Sequence, residues 1–243
     1  MKEFSVGMSL MDYIPVLLFA FASVMLIRDM YNKMSKGSFA LFAAGTIDVI
    51  CAGFLKATYK ILYALGVCDF ESLNNVFFPM QSLGFMLAGL GVLALLLHRQ
   101  TENPGRKAKS HTKTYIIIAA LVVILASLLL VLGGKAEKTA APAVFKGTFV
   151  FVTLMILGLG FMDAGLSVMA VKVRKKSLVV LFIVSFFLSL CMGYLSSRDF
   201  AKASMNWIAE GVNTLGQLTL LIGAVELHKA GFESLRLHGE ENV

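Results

Sequence analysis

Charge is scarce in this chain: Asp, Glu, Lys and Arg make up 15% of its 243 residues, where a soluble domain carries about a quarter. Hydrophobic residues make up 58%, and the mean hydropathy is +0.79. That balance excludes a soluble globular domain and leaves a polytopic membrane protein. Cysteine is also rare. Cys51 and Cys191 fall inside apolar runs and Cys68 stands alone in a loop, so no disulfide framework is expected. The four histidines, His98, His111, His228 and His238, lack a zinc-type spacing and lie on one side of the expected membrane. This removes both a metal site and serine–histidine catalysis from the expectations. Walker and dinucleotide loops are missing, so no cofactor is expected. The formal charge of +7 calls for no nucleic-acid partner, because Lys and Arg collect in loops beside the cytoplasmic leaflet.

What the chain does have is long apolar segments. Seven are long enough to span a bilayer, near Tyr13–Ile27, Phe39–Leu62, Val76–Leu97, Tyr115–Leu132, Phe149–Val171, Leu178–Leu195 and Met205–Leu227. Arg28, Lys33 and Lys36 follow the first instead of preceding it, so it reads as a retained helix and not a signal peptide. Fourteen of the 22 Lys and Arg residues follow the odd-numbered spans. The positive-inside rule then puts the N-terminus outside and the C-terminus in the cytoplasm, in a protein expected at the plasma membrane.

Two stretches echo each other. Ser72, Asn74, Leu83, Gly84, Gly91 and Leu95 recur as Ser204, Asn206, Leu215, Gly216, Gly223 and Leu227, and Gln81-Ser82 becomes Asn213-Thr214. A weaker echo pairs Cys51-Ala52-Gly53-Phe54-Leu55 with Cys191-Met192-Gly193-Tyr194-Leu195. The expected fold is therefore an all-α bundle of seven transmembrane helices. It holds two parallel three-helix repeats, about 11–98 and 144–230, a linker helix at about 113–134 and a short cytoplasmic tail, 231–243.

This 3+1+3 order, with an outside N-terminus, resembles the SWEET and PQ-loop transporters, and more distantly the seven-helix receptors and opsins. The resemblance is one of topology; the nearest approach to a Pro-Gln dipeptide is Pro79-Met80-Gln81. The last span has no lysine for a retinal Schiff base. The resemblance implies a small-solute transporter working by alternating access.

The polar residues in the apolar segments carry the functional expectation. Asn206, Glu210, Asn213 and Gln217 share one face of the last helix, with Trp207 near its outer boundary. Asn74 and Gln81 give the third span a matching face, and Pro79 interrupts its backbone bonding. These residues are the candidate solute site, against a plain reading as a packing network. Asp48, at mid-membrane depth, is the candidate proton-coupling group or a neutral packing acid. Lys56 either snorkels to the interface or pairs with Glu210, and Asp163 is a secondary acid beside Gly158 and Gly160. Three functions are open: a secondary transporter of a small polar solute with proton coupling, a seven-helix receptor for an extracellular ligand, or an intramembrane aspartate-dependent hydrolase. The expected partners are membrane lipids, the solute and a second copy of the chain.

Overall fold

The computed structural model describes residues 5–97, 147–196 and 203–234. The expected linker helix and most of the tail lie outside these. The described residues form helices only: α1 (Val6–Met11), α2 (Tyr13–Met30), α3 (Lys36–Leu65), α4 (Glu71–Asn75), α5 (Phe77–Leu97), α6 (Gly147–Lys172), α7 (Lys176–Ser196), α8 (Ala203–Lys229) and a closing 3-10 turn, Phe232–Ser234. Six spans, with α1 and α2 counted as one, are long and apolar enough to cross a membrane.

Local chemistry sets the ends. Ser5 and Ser35 cap α1 and α3 by accepting from the amides of Met8 and Ser38. Gly66, at φ 71°, ends α3 in a left-handed turn that glycine adopts without strain. Two prolines do equivalent work. Pro15 and Pro79 each stand third in a long helix, α2 and α5. Neither can donate to the carbonyl four residues back, at Met11 and Asn75. The helix is accordingly broken at Asp12 and at Val76. The first span therefore starts earlier than the apolar run alone implies, and it carries a charged residue at its break.

The six long helices pack as a closed ring in chain order: α2, α3, α5, α6, α7, α8 and back to α2. Neighbours are antiparallel except at two seams. At α5–α6, Gly158 lies on the backbone of Phe85 and Met86 while Gly165 lies on Val92, so the two helices run in one direction. At α2–α8, Asp12 is near Glu210 and Asp29 touches His228, so this pair is parallel too.

Close contacts recur between the halves. Gly91 abuts Phe42 of α3, and Gly223 abuts Phe182 of α7, each leaving 2.7 Å for an added Cβ. Gly53 faces Val16 of α2 as Gly193 faces Ile156 of α6. The pairs Phe42 and Phe182, Val16 and Ile156, and Gly53 and Gly193 keep the sequence offset of the Cys51–Cys191 echo, while Gly91 and Gly223 keep that of the Gly84–Gly216 echo. Small residues let backbones approach closely, which matters where lipid offers no hydrophobic drive between helices.

Candidate functional site

Carboxylates, carboxamides and the cations that face them gather along the α2–α8 seam. In its outer part, just below the Asp12 and Glu210 positions, is a cavity of about 30 Å³ lined by α2, α3, α5 and α8, with room for one or two waters. Gln81, Asn213 and Gln217 bring carboxamides to it; Pro15, Phe19 and Phe85 supply apolar wall. The rings of Phe19 and Phe85 meet edge to face, 5.5 Å between centroids. The Gln217 Oε1 atom is buried and has no hydrogen-bond partner among the described residues.

Above the cavity, at the α1–α2 break, lies an ion cluster. Lys60 of α3 reaches 2.5 Å from Asp12 Oδ2 and 3.6 Å from Glu210 Oε1. All three are at most 7% exposed. The Lys56 ammonium, one turn along α3, sits 4.0 Å from the centroid of the Phe77 ring, a cation–π contact. Two lysines thus stand beside two carboxylates. Charges taken this far from water persist only when so matched.

A second cluster closes the other end of the same seam. His228 Nδ1 is 3.1 Å from both oxygens of buried Asp29, and Arg28 Nη2 is 3.0 Å from His228 Nε2. Glu233 Oε2 lies 3.8 Å from the same histidine, and Lys33 donates to the Glu233 carbonyl oxygen. Burial lowers Lys33 from the ordinary lysine range, opposed by the nearby charges of Asp29 and Glu233. The donor atoms of Asp29, His228 and Glu233 all lie within 4.8 Å of one another, close enough for one cation. Arg28 and Lys33 already match both carboxylates, so an added cation would meet two positive neighbours. The geometry is that of a polar latch in which His228 bridges Asp29 and Arg28.

Of the residues singled out in sequence, Asn213, Gln217 and Gln81 come together in the cavity. Glu210 and Asn206 are buried above it on the same helix. Asn74 is exposed on α4, beyond the Val76 break, and Trp207 is 46% exposed; neither lines the cavity. Lys60, and not Lys56, is within ion-pair distance of Glu210. Asp48 is half-buried with Oδ2 unpartnered among the described residues, next to cavity-lining Val49 and Ile50. Asp163 is buried on α6 with both oxygens lacking a hydrogen bond among the described residues. The sequence reading missed Asp12, Lys60 and Asp29 as site residues. Asp12 had a signal, since it stands three residues before a proline where a helix would break.

Length, apolarity and packing make the described part a helical bundle of the membrane-protein kind. The chain matches no protein-family model, and no curated protein matches it.

Proposed function

We propose that this chain is a secondary carrier that moves a small polar solute through the α2–α8 seam. One observation carries the reading: a cavity with three carboxamides lies between the two ends of a seam, one closed by the Lys60 ion pairs and the other by the His228–Asp29 contact. That is the arrangement of a solute site between two gates. Opening the outer end separates Lys60 from Asp12 or Glu210; opening the inner end separates His228 from Asp29. Neither break leaves a charge stranded if water enters as the cluster parts.

Recurrence between the halves supports a repeat. Gln81 and Asn213 occupy echoed positions, as do Phe85 and Gln217, and all four line the one cavity. A shared site at a repeat interface is the habit of transporters built from internal repeats. The parallel run of α5 and α6 favours an odd number of crossings between them, as a linker helix would supply. These points support the 3+1+3 topology that resembles the SWEET and PQ-loop transporters. The exposed basic turn Lys172, Arg174, Lys175 and Lys176 favours a cytoplasmic His228 end and an outside N-terminus. Asp48, beside the cavity wall, is the proton-coupling group in this reading.

The same basic turn gives a receptor reading its one specific support, as a docking surface for a cytoplasmic partner. The hydrolase reading gains none, because Asp48 and Asp163 stand on helices that flank α5. Purified protein in proteoliposomes separates the alternatives. A carrier shows solute uptake and counterflow that fall with Glu210→Gln and Asn213→Ala. Uptake indifferent to both changes, or ligand binding without uptake, overturns the carrier reading.

A further inference from the structure

We infer that the solute is neutral and donates hydrogen bonds, as a small polyol or an amide does, and that cations are rejected. The inference rests on the carrier reading and adds the substrate class. Three observations carry it.

First, no side chain lining the cavity is ionisable. The sequence alone puts Glu210 on the face of Asn213 and Gln217, which would favour a cation. In the fold that carboxylate is held beside Lys60, with Asp12 and Lys56 next to it, so it is spoken for. A cation in the cavity would lose its hydration with no ionised side chain in the lining to replace it, a cost that disfavours it against a neutral solute.

Second, the polar groups present are amides. The Gln217 carbonyl oxygen is a buried acceptor with no partner among the described residues, so it lacks an N–H or O–H donor. The carboxamides of Gln81 and Asn213 can each both give and accept. A site whose unmet group is an acceptor selects a ligand that carries a donor, and an apolar ligand would leave that acceptor unsatisfied.

Third, the cavity is small, about 30 Å³, and walled on one side by Phe19 and Phe85. A solute of a few heavy atoms fits with modest widening; a hexose needs the helices to part much further.

Urea and guanidinium make the test sharp, being nearly the same shape and differing in charge. Reconstituted protein is assayed for uptake of labelled urea, glycerol and guanidinium, with protein-free vesicles subtracted. The expected result is saturable urea or glycerol uptake at least about tenfold above that of guanidinium. Gln217→Leu should abolish it, and Gln217→Glu should turn the preference toward guanidinium, with size-exclusion profiles confirming that both variants fold. Wild-type protein that prefers guanidinium overturns the neutral class and leaves the carrier standing. If neither wild type nor Gln217→Glu moves any of the three probes, the neutral class falls. The carrier reading then falls with it only if counterflow fails for a wider set of charged solutes as well.

Discussion

The two parallel seams of the ring are built from opposite chemistry. At α5–α6, Gly89, Gly158 and Gly165 bring the helices so close that an added Cβ would strike backbone or the Val92 side chain. At α2–α8 the helices are linked through Lys60 at one end and by the His228–Asp29 contact at the other, with a polar cavity between. Close backbone packing depends on a fit that is lost at the first ångström of separation. Ion pairs instead exchange partners with water when a seam opens. In the proposed carrier this contrast makes α5–α6 the fixed joint and α2–α8 the seam that parts.

The largest effect should come from the outer cluster. Lys60→Met leaves Asp12 and Glu210 facing each other without their cation, and should lower stability by about 3–5 kcal/mol, read from thermal unfolding in detergent. Adding Asp12→Asn should recover part of the loss; an unchanged melting temperature for Lys60→Met would mean that the cluster is not buried as described. Next comes the joint. Gly158→Leu should cost about 1–3 kcal/mol or more by forcing α5 from α6. Gly211→Leu, on a helix face with nothing within 4 Å of an added Cβ, serves as its neutral control. Equal effects from the two would remove the distinction between the seams. The smallest effect belongs to an exposed pair: Lys229 and Glu226 are 2.8 Å apart but 64% and 45% exposed. Lys229→Ala should change stability by under about 1 kcal/mol in the same assay.

How far the sequence foretold this depends on whether a feature is local. Apolar length is local, and the expected spans in the described residues fall on the long helices. The helical spacing of Asn213 and Gln217 was equally readable, because α8 runs unbroken from Ala203 to Lys229. Asn74 and Gln81 were joined by the same rule across a helix that Pro79 breaks at Val76, so Asn74 turned out on a separate short helix. Lys56 and Lys60 lie one turn apart on one face of α3, and spacing gives no reason to prefer either as the partner of Glu210. The choice is made by Asp12, whose position follows from the break upstream of Pro15. Charge pairing across three spans is a tertiary fact. Composition announces the charges and leaves their partners unnamed.

The most direct test is thiol accessibility at the two seams in reconstituted vesicles. Cys51, Cys68 and Cys191 are first replaced by Ser or Ala; Gln217→Cys is then placed in the cavity and Leu159→Cys in the buried core of α6. An impermeant maleimide should label the thiol at 217 from the outer face and, in inside-out vesicles, from the inner face as well, while the thiol at 159 stays protected from both. Labelling of 159 as fast as 217, or no labelling of 217 from either side, would contradict a fixed joint at α5–α6 and an opening seam at α2–α8.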